Sequence, residues 1–339
     1  MATLASGHTA KVIEGSEKAK LTEDFPGFKK GWVRLFPGGW LLSRPFCKVA
    51  DKLYNFEFRK DDVLVMSWPK CGTTWTQELV WTMRNSPNLD HPDAGLVIMN
   101  RVPFMEADMF AEESPKEDPS PVSETFKKLC PNGDPRDGMN YQLAQAIPDP
   151  RTLKTHLAFS LFAPSLLEKT KVVYVARNPK DIVLSFLHHH KLFKEMSFNG
   201  SLEAFVEYFL QDDLLYGPYW LHLREAWQKR GHPNLHIVFY EDLKADVMRE
   251  LKRLDDFLGT GLSHDQLANV AKHASFDEMK ASDSLMIGKY VINQEVLEKD
   301  GGFFRQGKSG DWKNKLTPDL IDKMDQWIAQ KCDFGISFK

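Results

Sequence analysis

The segment from Val63 to Met83 constrains the fold more than any other part of the chain. A short, continuously apolar run, Val63-Leu-Val-Met-Ser67, passes through Trp68-Pro-Lys70-Cys71-Gly72-Thr73-Thr74-Trp75 into a stretch where Trp75, Leu79 and Met83 recur every four residues. The first run is short and rich in β-branched residues, as a strand buried on both faces should be, and the spacing after it is that of a helix. The turn between them suits an anion. Gly72 lets the backbone approach closely, the first helical amides are orphan donors, and Lys70, Thr73 and Thr74 add charge and hydroxyls. A nucleoside triphosphatase loop would place its lysine after a second glycine, whereas Lys70 precedes the only glycine here. No apolar strand ends in an aspartate clearly placed for Mg²⁺, so the expected ligand is a phosphate or sulfonate ester other than a triphosphate. An ordinary strand-turn-helix junction with a capping threonine remains the alternative for this segment taken alone.

Two further runs repeat the pattern. Lys171-Val-Val-Tyr-Val-Ala176 leads into a helix starting near Pro179, and Leu235-His-Ile-Val-Phe-Tyr240 is followed by Glu241-Asp242. Helical spacing marks 202–215, 219–229, 246–258, 265–273 and 318–331. Strands alternating with helices predict an α/β domain with a central parallel sheet flanked by helices and a ligand at the carboxyl ends of the strands. With 339 residues, 42% of them hydrophobic, the chain can fill one large core, and no Pro/Gly/Ser-rich linker divides it. Residues 1–24 read as a flexible extension before a domain spanning 25–339, with irregular aromatic-rich packing over 25–58. The stretch 90–149 reads as an irregular loop or lid, broken by the Pro-rich, acidic run 112–121.

A net charge of -3 excludes a nucleic-acid surface over the whole protein while leaving room for a local basic pocket. The first 20 residues lack the apolar core of a signal peptide, and no run of about 18 apolar residues suggests a membrane span. A cytoplasmic protein is expected. Cys47, Cys71, Cys130 and Cys332 are too scattered for a zinc site or a disulfide framework. Cys71 has a second reading as a reactive thiol, since a helix N-terminus and a nearby lysine lower a thiol pKa.

Several side chains outside the first turn suit the same chemistry. Arg177 follows the second run directly, and Ser185 lies about two helical turns further on, so both can face one phosphate. Taken alone, Arg177 reads more readily as a structural salt bridge and Ser185 as a helix-surface hydroxyl. In Leu153-Lys154-Thr155-His156-Leu157 a polar trio follows a short strand, and a histidine, with an ordinary pKa of about 6.5, can accept a proton near neutral pH. The run His188-His189-His190 tempts a metal reading, but consecutive helical residues point about 100° apart and cannot converge on one ion. Residues 303–313 combine glycines with basic side chains, consistent with an anion-covering loop or an exposed turn.

In this order, the segments from about Val63 to Lys313 resemble the cytosolic sulfotransferase family, with a layout closer to arthropod members than to the shorter vertebrate ones. The resemblance implies a sulfotransferase fold and a P-loop-like site for 3'-phosphoadenosine 5'-phosphosulfate, with no metal required. By the match, Lys70, Cys71, Gly72, Thr73 and Thr74 hold the 5' end of the donor, and Trp75, Tyr240, Ser275, Phe276 and Met279 lie around adenine. Arg177, Ser185, Arg305, Gln306 and Gly307 take the 3'-phosphate, while Gly310 and Lys313 complete the C-terminal signature. Gln306 replaces the usual lysine, and Ala274 replaces a hydroxyl residue. The resemblance makes His156 the general base, assisted by Lys70 and Lys154, with Phe104 and His189 toward the acceptor. It implies a small lipophilic hydroxyl or amine acceptor, and no nucleic-acid or membrane partner. The dimer motif is degenerate at Pro318 and Asp322, leaving a homodimer open. Rival expectations are a P-loop kinase or nucleotide hydrolase, a non-catalytic nucleotide- or lipophile-binding protein, and sulfonation of an allylic alcohol followed by elimination.

Overall fold

The apolar runs become neighbouring strands of one parallel sheet. In the computed structural model, which describes residues 2–110, 122–281 and 292–338, strand β5 (Val63–Ser67) lies between β6 (Thr152–Thr155) and β7 (Lys171–Ala176), and β8 (Leu235–Phe239) pairs with the far side of β7. Every residue of β5 is buried, which accounts for its unbroken apolar sequence. Met66 pairs with Thr155 on one side and Tyr174 on the other. The chain leaves β5, returns on one edge as β6 and then crosses to the opposite side as β7. That reversal opens a crevice at the carboxyl end of β5, where a ligand can bind.

The helix Thr73–Asn85 leaves this crevice and is buried along most of its length, Thr76 to Met83, against the helices Ile98–Arg101 and His264–His273. Helix Pro179–Leu192 begins with the Asn178 side chain accepting from the Lys180 amide and with proline in its first turn, so its entry is fixed by a cap. The helix expected over 202–215 ends at Leu210. The last helix, Pro318–Lys331, is capped by Thr317 and buries Leu320, Met324 and Trp327, a stripe at helical spacing. Pro318, the proline of the degenerate dimer motif, opens this helix.

Residues 2–24, read from sequence as a flexible extension, instead form strand and helix. Strands β1 (Ala2–Thr3), β2 (Thr9–Val12), β3 (Trp32–Phe36) and β4 (Trp40–Ser43) make an antiparallel sheet, and helix Gly15–Asp24 buries Leu21. Strand β2 is four residues of mixed polarity, and its pairing of Ala10 with Leu35 supplies what its own sequence lacks. The region 25–58, read as irregular, is a hairpin followed by helix Phe46–Tyr54. Phe25 packs edge-on to Trp32 and Tyr208 and against Phe198, fastening the hairpin to the α/β body. Strand β4 is tied in turn to residues 216 and 217, with Leu41 N–H donating to Gly217 O at 3.0 Å and Tyr216 N–H to Leu41 O at 2.8 Å.

The stretch 90–149 is less irregular than its composition suggests. Its described residues include the short helices Ile98–Arg101, Val122–Leu129 and Met139–Ala146, the last two sharing a small apolar cluster of Val122, Phe126 and Leu143. The run 112–121 lies outside the described residues.

Candidate active site

A cavity of about 720 Å³ opens at the carboxyl end of β5. One end is walled by the anion turn, where Lys70 (φ 66°) and Gly72 (φ 101°) adopt left-handed backbone. A Cβ on Gly72 would stand 2.6 Å from the Tyr240 ring, so only glycine fits that bend. The Thr73 hydroxyl bonds the Ser67 hydroxyl at 2.6 Å, joining the start of the helix to the end of the strand. Trp75 meets Tyr240 edge-on at 5.8 Å, giving two aromatic walls.

The C-terminal loop covers this end. Arg177 donates to Lys70 O at 2.9 Å and to Lys308 O at 3.1 Å, stitching the anion turn to that loop, while its Nε is buried without a partner among the described residues. Its guanidinium lies 4.2 Å over Tyr240. The Asp181 carboxylate accepts from the Gly310 amide at 2.7 Å and the Trp312 amide at 3.3 Å, a tether that sequence reasoning missed. Gly307 (φ 59°) presses on Phe276, where a Cβ would come within 2.3 Å of the ring. Ser185, Met279, Arg305 and Gln306 line the same end.

Two expected donor contacts have other surroundings. Cys71 is buried, its thiol directed at Pro69 O, and burial pushes the thiol pKa up despite the Arg177 charge; the helix terminus and lysine do not activate it. Ser275 caps the helix Phe276–Ala281 by accepting from the Glu278 amide, and it does not line the cavity. Gly310 and Lys313 also stand off the wall, Gly310 acting through its bond to Asp181.

The other end is apolar, walled by Ile98, Met99, Val102, Phe104, Phe110 and Met139. His156 sits where the two ends meet. Its Nδ1 lies 2.8 Å from Ser67 O, and because a carbonyl can only accept, Nδ1 carries the proton and Nε2 is left with its lone pair. His222 Nε2 in turn donates to His156 O at 3.1 Å, and its Nδ1 faces Tyr174 Oη at 2.7 Å. Burial, and next the Lys154 charge, hold the His156 pKa well below the ordinary value. Lys154 Nζ lies 3.6 Å over Phe104, and Lys70 Nζ lies 3.9 Å over Phe303, so both lysines rest on aromatic faces.

The three consecutive histidines diverge. His188 bonds Gly302 O and His190 bonds Phe186 O, while His189 lines the cavity beside Phe193 and Phe303 with its Nδ1 buried and unpartnered among the described residues. Sequence reasoning also missed Glu106, buried behind residues 154–156, and Tyr216, whose ring lies 5.4 Å from that of His156.

The model of the sulfotransferase domain family matches residues 60–334. Sulfotransferase 1A1 of Rattus norvegicus is 33% identical over 299 residues, covering 86% of this chain and 93% of that one. Luciferin sulfotransferase of Photinus pyralis is 29% identical over 303 residues, covering 88% and 78%. Among solved structures, retinol dehydratase in complex with retinol and PAP superposes with a TM-score of 0.82 at 29% identity, covering 98% of this chain and 99% of that one.

Proposed function

The chain belongs to the sulfotransferase domain family, and from that premise we propose that the two ends of the cavity hold the donor and the acceptor of one in-line transfer. The protein is a sulfotransferase dependent on 3'-phosphoadenosine 5'-phosphosulfate and acts on small lipophilic acceptors. When bound, the donor supplies the sulfuryl group and a leaving adenosine 3',5'-bisphosphate. The donor end fits such a ligand. Gly72 and Gly307 leave backbone concavities that a side chain would fill, and Lys70, Arg177 and Arg305 bring positive charge to it. Trp75, Tyr240 and Phe276 offer flat apolar faces to a purine.

In this reading His156 Nε2 takes the proton from the acceptor hydroxyl or amine as its oxygen or nitrogen attacks sulfur. Lys70 stabilises charge on the phosphate oxygen that leaves, and Lys154 stabilises the group in transit. Fixed cations and amides already aimed at the developing charge supply the catalysis. Phe104 and His189 would face the acceptor. One observation carries the proposal: the Ser67 carbonyl engages Nδ1 and leaves Nε2 as the basic nitrogen of a residue that lines the same cavity as the anion turn. Incubation with donor labelled in the sulfuryl group and a panel of phenols, sterols, retinoids and amines tests it. Transfer of label to an acceptor is expected, and no transfer with no binding of adenosine 3',5'-bisphosphate would overturn it.

A second reading is favoured by structural likeness. Retinol dehydratase superposes over 98% of this chain with a TM-score of 0.82. On an allylic alcohol, sulfonation would then be followed by loss of sulfate, giving net dehydration. Mass spectrometry of the product separates the two, by gain of a sulfuryl group or loss of water.

A cytosolic setting is part of the proposal, to be checked by cell fractionation. No helix among the described residues is long and apolar enough to cross a membrane.

A further inference from the structure

Glu106 is fully buried beside the proposed base, and the transfer step above gives it no part. It ends a segment, residues 102–106, that runs parallel to β6: Lys154 N–H donates to Pro103 O at 3.0 Å and Met105 N–H to Lys154 O at 2.9 Å. From there Glu106 Oε1 accepts from the His156 backbone N–H at 2.6 Å, and Oε2 accepts from the Thr155 hydroxyl at 2.9 Å. The Thr155 oxygen itself accepts from Leu157 N–H at 3.0 Å. Both carboxylate oxygens therefore face donors, a pattern that an ionised carboxylate satisfies fully and an amide only in part. The Tyr216 hydroxyl is directed at the same carboxylate without reaching good hydrogen-bond geometry.

A charge this deep is costly unless it is paired and bonded, so its place here calls for a reason. The backbone it holds is that of residues 154–156, which carry both proposed acceptor-side catalytic groups. We propose that Glu106 is a positioning residue of the acceptor site, its carboxylate fixing residues 154–156 through its bonds to the His156 amide and the Thr155 hydroxyl.

The surrounding charges agree in sign. Burial holds Lys154 below its ordinary value although the Glu106 charge opposes that fall, and holds Glu106 above its own although the His156 amide, the Lys154 charge and the Thr155 hydroxyl oppose that rise. Lys154 and His156 face Glu106 from β6 and its end, and Tyr216 from the loop preceding helix Tyr219–Gln228. His156 also feels His222 and Lys70. Removing the carboxylate charge should thus let Lys154 lose its proton at lower pH.

This inference rests on the sulfuryl-transfer reading, and its test separates the two. Wild type, Glu106→Gln and Glu106→Asp would be compared as full-length proteins, with kcat followed against pH on whichever panel acceptor is sulfonated. Binding of adenosine 3',5'-bisphosphate serves as the control for folding. Glu106→Gln should lose about tenfold or more in kcat, with nucleotide affinity unchanged and the alkaline limb moved to lower pH. Glu106→Asp, which keeps the charge, should restore the limb more fully than the rate. In parallel, ¹³C NMR of reductively methylated Lys154 should show it titrating lower in Glu106→Gln. An unchanged kcat in Glu106→Gln, or an unchanged alkaline limb together with an unchanged Lys154 titration, would overturn the inference. A wild-type protein that sulfonates nothing would overturn the transfer reading instead, and the lysine titration would still decide the link between Glu106 and Lys154.

Discussion

The imidazole Nδ1 of His156 lies 2.8 Å from the carbonyl of Ser67, the last residue of β5. Ser67 also bonds Thr73, the first residue of the helix beyond the anion turn, so one strand end orients both the proposed base and the donor turn. A shift at Ser67 would disturb the two reactants together.

The same burial that fixes His156 sets a pH dependence. Its pKa is lowered, so protonation, which removes the base, occurs only below the ordinary value of about 6.5. The acid limb of kcat should fall below that pH. A limb at or above it would contradict the enclosed site.

Gly72 allows a sharp test of the donor turn. Gly72→Ala combines positive φ with a Cβ 2.6 Å from the Tyr240 ring, and such overpacking costs about 1–3 kcal/mol. Calorimetric titration should show nucleotide affinity lowered by about tenfold or more for a site displaced by that strain. Unchanged affinity would mean the turn does not hold the nucleotide.

Phe303 carries the Lys70 ammonium 3.9 Å above its ring. A cation over an aromatic face is worth about 0.5–2 kcal/mol, so Phe303→Ala should lower kcat by roughly 2- to 30-fold as the ammonium wanders. Circular dichroism should show the fold retained. A fully active Phe303→Ala protein would show that the ring is not what places Lys70.

Cys71 should resist thiol reagents in the folded protein, because it is buried and its pKa is raised. Mass mapping after treatment with a disulfide reagent should find label on the half-buried Cys47, Cys130 and Cys332 first. Early label on Cys71 with loss of nucleotide binding would contradict the packing.

Strands β5 and β7 were legible because each is a short apolar run whose residues are nearly all buried by its neighbours, so burial is written into almost every position. The turn from strand to helix at Lys70–Gly72 was legible because its parts are consecutive. The N-terminal sheet was missed although Pro37-Gly38-Gly39 between two apolar runs was a hairpin signal; strand β2 is held by its pairing with β1 and β3 rather than by its own pattern. Glu106 lies 50 residues from His156 and Tyr216 lies 60 beyond it, and no local pattern marks a polar side chain that long-range packing buries. Cys71 misled for the opposite reason, since its neighbours in sequence suggested activation that burial reverses.

The most direct test is the rate of sulfuryl transfer in His156→Ala, measured in a single turnover with labelled 3'-phosphoadenosine 5'-phosphosulfate and a wild-type acceptor. A base with Nε2 free should be worth about 10² or more in rate, with binding of adenosine 3',5'-bisphosphate unaltered. A His156→Ala protein that transfers the label at nearly the wild-type rate would contradict the account.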